Sequence, residues 1–162
     1  MKKDSRFLPY FDIPFQSGDD EIIHAMNRTG TAEKYIGLVE SIRKAFPETV
    51  LRTTFLTGFP GETDKAAENT QNFLNAIQPD WSGCFPYSRE EDTPAYSMKK
   101  RVSEKVAKAR AEKLEEIQTQ ITISKLEKYV GKEYNVLVEE IIELNKETAE
   151  DSSEGLAIGR AW

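Results

Sequence analysis

The residues best placed to do chemistry stand in one run, Gly58-Phe59-Pro60-Gly61-Glu62, which closes a segment rich in β-branched and aromatic residues opening at Val50. The two glycines remove Cβ atoms that would hold a flat ligand away from the backbone, and Pro60 fixes one φ between them. A strand, a tight turn and a polar, Ala-rich helical segment suit a ligand at the strand's carboxyl end, although a plain βα loop draws on the same residue types. Phosphate is a poor ligand here: no Lys or Arg follows Gly61 until Lys65, and the Glu62 carboxylate repels it. Metal chemistry is limited by count. With one cysteine, Cys84, and one histidine, His24, the chain builds no disulfide, zinc site or iron–sulfur site from those residues alone.

The elements that position this turn follow from hydrophobic spacing. Residues 7–15 read as a short buried strand with prolines near its ends, and residues 81–87 as another. Asp19 or Asp20 is placed to cap a helix carrying Ile22, Ile23 and Met26, and Thr31 opens one whose apolar face is Tyr35, Leu38, Val39 and Ile42. Thr63 or Asp64 caps the helix bearing Ala66, Ala67, Thr70, Phe73, Leu74 and Ile77. Ser103 caps a long helix with Val106, Ala109, Leu114, Ile117 and Ile121 near helical spacing and Gly131 as its stop. Strands separated by helices predict parallel βα units. After Gly131 the pattern becomes strand-like over 134–142 and again over 155–162, with an acidic turn between. This predicts the opening of a small barrel whose other strands lie elsewhere.

Composition is that of an ordinary globular chain: 162 residues, 38% hydrophobic and 31% charged. No apolar run approaches the roughly 20 residues of a membrane span, and the Met1-Lys2-Lys3-Asp4 start lacks a signal peptide's apolar region, so the expected location is cytoplasmic. Net charge is −6, and residues 132–162 alone hold three basic residues against eight acidic ones. That acidic segment argues against RNA binding and for a basic protein partner or none, since a merely solvated acidic face has the same composition.

Three features stand in order along the chain: Asp12-Ile13-Pro14-Phe15-Gln16-Ser17-Gly18, the 58–63 turn, and Phe85-Pro86-Tyr87-Ser88 followed by Thr93-Pro94-Ala95. Together, with Met26-Asn27-Arg28 after the first turn, they resemble the C-terminal half of a radical S-adenosylmethionine methylthiotransferase over essentially the whole chain. The resemblance implies an α/β fold in which residues 1–131 form the C-terminal part of a (β/α) TIM-like radical SAM barrel and residues 132–162 begin a small β-barrel TRAM domain. Asp12-Ile13-Pro14-Phe15-Gln16, Arg52-Thr53-Thr54-Phe55 and Glu90-Glu91 look like the branch that modifies an aspartate of small-subunit ribosomal protein twelve. Ser17-Gly18 is closer to the branch that modifies a tRNA adenosine, and Asp92 replaces a glycine that both branches usually show.

Carried over by resemblance, Gly58, Phe59, Pro60, Gly61 and Glu62 line the adenosine and methionine parts of S-adenosylmethionine. Phe85 and Tyr87 flank the adenine, and Gln16 contacts the ribose or the amino-acid moiety; as aromatics at a strand end, Phe85 and Tyr87 equally suit core packing. The family also needs two 4Fe–4S clusters held by cysteines that this chain lacks, so the resemblance implies an inactive fragment with no catalytic and no metal-ligating residue of its own. The full enzyme would generate a 5′-deoxyadenosyl radical, abstract hydrogen from the aspartate β-carbon and install a methylthio group. A noncatalytic α/β binding module is the alternative from another class.

Overall fold

The computed structural model describes residues 7–142 and 156–161. The chain divides into two compact units, Met1–Lys128 and Tyr129–Trp162.

In the first unit, β1 (Tyr10–Asp12), β2 (Val50–Thr57) and β3 (Trp81–Pro86) form one parallel sheet in the order β1-β2-β3. The connections carry helices α1 (Asp20–Ala25), α2 (Ala32–Ala45) and α3 (Asp64–Ile77), as parallel pairing requires, and α4 (Glu104–Leu126) follows β3. In β2 the alternation is strict: Leu51, Thr53, Phe55 and Thr57 are buried, and Val50, Arg52, Thr54 and Leu56 are half-buried. The buried face meets Val39 of α2, Phe73, Leu74 and Ile77 of α3, and Ala111, Leu114 and Ile121 of α4 in one core. Two threonines on that face are tolerated because their hydroxyls are satisfied: Thr53 donates to the Ile13 carbonyl at 2.8 Å and Thr57 to the Ala107 carbonyl at 2.8 Å. On the opposite face Arg52 pairs with Asp12 of the neighbouring strand.

Each helix start is a side-chain cap. Asp19 accepts from the Glu21 and Ile22 N–H groups, Thr31 from Lys34, Thr63 from Ala66 and Ser103 from Val106. At the amino end of the sheet, residues 78–80 are gripped by two helices. Arg43 of α2 donates to the Gln78 carbonyl at 2.6 Å, Gln118 of α4 to the Pro79 carbonyl at 3.1 Å, and Lys125 pairs with Asp80 at 3.0 Å. Asp80 in turn accepts the Leu51 N–H at 2.8 Å, which fixes the start of β2.

The structure corrects four expectations. The regular strand spans only Tyr10–Asp12, with Phe7, Leu8 and Tyr10 exposed, and Pro14 interrupts it before the isolated pairing of Gln16 with Phe55. Leu38 is exposed, while α2 meets the core through buried Val39 with half-buried Tyr35 and Ile36 beside it. The buried stripe of α4 is Ala107, Ala111, Leu114, Gln118 and Ile121, and Val106 and Ala109 face water. Alternating steps of four and three place those five on one face, and its small and amide side chains hide it from a hydrophobic count. α4 ends at Leu126 and passes through a 3₁₀ turn at Glu127–Tyr129 before Gly131, which holds φ +75°.

The second unit contains an antiparallel pair, β4 (Val136–Ile142) and β5 (Leu156–Ala161), with a register shift between Val138 and Glu140. Val136, Leu137, Val138, Ile141, Ile142 and Ile158 are all exposed. The expected acidic turn at 143–155 lies outside the described residues. Among the described residues no helix is long and apolar enough to cross a membrane.

Candidate functional site

The turn after β2 is held from inside. Gly58 and Gly61 both take positive φ, +78° and +95°, where an L side chain is strained. The Glu62 carboxylate folds back to accept the Gly58 N–H at 2.6 Å, and the Glu62 N–H donates to the Phe59 carbonyl at 2.9 Å. Arg110 of α4 donates to Glu62 Oε2 at 2.7 Å, to the Glu62 carbonyl at 3.2 Å and to Asp64 at 2.6 Å. Burial pushes the Glu62 carboxyl above the ordinary carboxylate range, against the pull of the Gly58 N–H and the Arg110 guanidinium. Phe59 is buried between Ile22 and Ala66 and meets the Tyr87 ring edge-on at 5.3 Å.

The two glycines differ. A Cβ on Gly58 would lie 2.3 Å from the Cβ of Ala107, so the space freed there is filled by α4. A Cβ on Gly61 would meet nothing within 4 Å, so that backbone is open. The first turn repeats the helix-seating arrangement, since a Cβ on Gly18 would lie 2.3 Å from the Cβ of Phe73 in α3.

Gln16 is placed beside this turn by the sheet. Its N–H donates to the Thr54 carbonyl at 2.8 Å and its carbonyl accepts from Leu56 at 2.9 Å, with φ at +71°. A glutamine held in the left-handed region by pairing on both sides is the strained residue that binding sites often carry. Phe85 is 54% exposed, so the core-packing alternative does not hold for it; its ring lies over Gly83, where an added Cβ would sit 2.8 Å from it. Tyr87 is half-buried, and its backbone N–H donates to the Thr57 carbonyl at 2.7 Å.

Gly58, Pro60 and Tyr87 come together on a cleft of about 510 Å³ that also takes in Arg89, Arg101 and Glu104. Gly61 lines a different cleft, of about 640 Å³, between Asp19, Ile36, Asn69 and Phe73. Gln16, Phe59, Glu62 and Phe85 line neither. The residues that sequence reading missed are Ala107, on the buried stripe of α4, and Arg110, which flanks it.

Tyr87 lines the cleft with Gly58 and Pro60, and its hydroxyl is buried with no hydrogen-bond partner among the described residues. An unsatisfied donor next to the Gly58 and Pro60 backbone fits a nucleoside-like group such as S-adenosylmethionine. Cys84, the one cysteine of the chain, lies in the core, where burial pushes its thiol up to about 11, which makes it a poor iron ligand.

The model of the radical SAM superfamily matches residues 3–74. The chain is 53% identical, over its whole length, to the ribosomal protein uS12 methylthiotransferase RimO of Treponema denticola, of which it covers 35%. It is 41% identical over 97% of its length to the protein of the same name from Natranaerobius thermophilus, again covering 35%. For that of Thermotoga maritima the values are 42% identity, 83% of this chain and 31% of the relative. The chain thus spans about a third of the length of the curated relatives it matches. Among solved structures, coproporphyrinogen III oxidase (HemN) from Escherichia coli, described as a radical SAM enzyme, shares the fold with a TM-score of 0.54 at 18% identity, over 75% of this chain and 27% of its own.

Proposed function

We propose that this chain belongs to the radical SAM methylthiotransferases and forms part of a larger enzyme that adds a methylthio group to the β-carbon of an aspartate in ribosomal protein uS12. The observation that carries this reading is the wall of Gly58, Pro60 and Tyr87 at the carboxyl end of the parallel sheet, with the unpartnered Tyr87 hydroxyl beside it. There S-adenosylmethionine would supply the radical-forming group. The Gly58 and Pro60 backbone approaches the adenosine, and the exposed Phe85 ring offers a face for stacking. Tyr87 donates a hydrogen bond, and Gln16 reaches the ribose or the amino-acid moiety.

The reading includes the remaining expectations. Residues 1–131 belong to a barrel of the radical SAM kind, closed by further strands of the whole protein, and residues 132–162 begin a small β-barrel. Two 4Fe–4S clusters are held by cysteines outside this chain, which alone is inactive. The acidic C-terminal segment favours a basic protein substrate over RNA, and the work is done in the cytoplasm, where ribosomes are. Ser17 and Gly18, which resemble the tRNA branch, are taken up by packing: Ser17 meets the Thr70 hydroxyl at 3.3 Å and Gly18 seats Phe73.

The test is methylthiolation by the full-length, cluster-reconstituted protein carrying this chain, offered uS12 and unmodified tRNA in parallel. Transfer to uS12 alone is expected. Transfer to tRNA alone would move the protein to the other branch, and transfer to neither would refute the assignment.

A further inference from the structure

We propose that Arg110 is a positioning residue for cofactor binding, holding the Glu62 carboxylate in place so that it fixes Gly58 and with it the shape of the 58–62 turn; the inference rests on that turn being part of the S-adenosylmethionine wall. The link spans 48 residues of sequence and joins the first turns of α4 to the end of β2. Glu62 is 2% exposed and Arg110 13%, whereas Asp64, the second partner of Arg110, is fully exposed. The Asp64 pair lies in water and contributes little, so the buried Glu62 pair is the one that matters. One oxygen, Oε2, receives both the Arg110 guanidinium and the Gly58 N–H.

Three charged groups face the Glu62 carboxylate: Arg110 from α4, Asp64 from the start of α3, reached through Arg110, and Asp19 from the loop before α1. Arg110 is the only cation among them. Without it the carboxylate is left buried among like charges. Protonated, it can stay and accept the Gly58 N–H through its carbonyl oxygen. Ionised, it must leave for water and abandon that N–H, and the turn loses its inner brace. Removing Arg110 therefore makes the turn, and cofactor binding through it, sensitive to pH in a range where the intact pair is not. A role in fold stability alone would show no such signature in affinity.

The experiment measures equilibrium binding of S-adenosylhomocysteine, which cannot be cleaved, to the reconstituted full-length protein by calorimetry between about pH 6 and pH 8.5. The wild type is expected to bind with a flat Kd. Arg110→Gln should bind about tenfold more weakly, or worse, at pH 8.5, a change of about 1.4 kcal/mol, and recover toward pH 6. Arg110→Gln with Glu62→Gln should be flat again, because a neutral amide replaces the titrating acid. Arg110→Lys, which keeps the charge and is the variant to use if the glutamine fails to fold, should fall between the two. A flat Kd in Arg110→Gln or undiminished binding in Arg110→Lys overturns the role of Arg110 while leaving the cofactor site standing. A wild type that binds no S-adenosylhomocysteine overturns the cofactor reading and this inference with it.

Discussion

Ala107 occupies the space that the missing Cβ of Gly58 leaves open: the two Cβ positions would be 2.3 Å apart. Gly58→Ala forces that clash on a residue already at φ +78°, and is expected to cost about 2–4 kcal/mol in urea unfolding. Gly61→Ala carries the backbone strain without the clash and should cost about 1–2 kcal/mol. Pairing Gly58→Ala with Ala107→Gly should recover the difference, so the double variant must be more stable than the sum of the singles. Strict additivity would refute the packing account.

Gln16 gives a prediction of opposite sign. Its left-handed backbone is imposed by pairing with Thr54 and Leu56, which glycine satisfies equally well without the steric cost. Gln16→Gly is expected to stabilise the fold by up to about 1 kcal/mol while weakening S-adenosylhomocysteine binding. A variant that is both less stable and equally good at binding would remove Gln16 from the site.

Cys84 sets a pH limit. Its thiol, ordinarily near 9.0, is pushed up to about 11 by burial, so between those values the unfolded chain has lost the proton and the folded chain keeps it. Stability from this group is whole below about pH 9 and falls as pH rises toward 11, by about 2–3 kcal/mol at most. Urea midpoints measured from pH 8 to 10.5 should drop more steeply in the wild type than in Cys84→Ala, and parallel slopes would contradict the burial. Iodoacetamide at pH 8 should label the thiol only after denaturant is added.

The parallel βα units, the caps and the second and third strands were legible because each rests on a local signal: alternation in residues 50–57, a Ser, Thr or Asp before each helix, glycine and proline at the turns. The site was legible only as a location. Glycine in a βα turn announces a close approach without saying what approaches, and here Gly58 and Gly18 receive helices while Gly61 alone is open. Glu62 reads as a ligand contact until its partner 48 residues away is known. No periodicity points to Arg110, because the stripe it flanks contains Gln118 and two alanines. Phe85 was legible as an aromatic at a strand end, but its outward turn depends on Gly83 lying flat beneath the ring.

α4 is fastened at both ends of the sheet, through Arg110 at the carboxyl end and Lys125 at the amino end. Fifteen helical steps between them rise about 22 Å, and the seven strand steps from Leu51 to Gly58 rise about 23 Å. Helix and strand are thus cut to one length, and the helix works as a strut whose reach is set by residue count. One residue added between Ala111 and Gln118 turns every later anchor by about 100° and lifts it by about 1.5 Å, so Gln118, Thr122 and Lys125 could no longer meet Pro79 and Asp80 while Arg110 kept hold of Glu62. Length variation among proteins built this way belongs in the 88–102 segment, where it leaves both fastenings untouched.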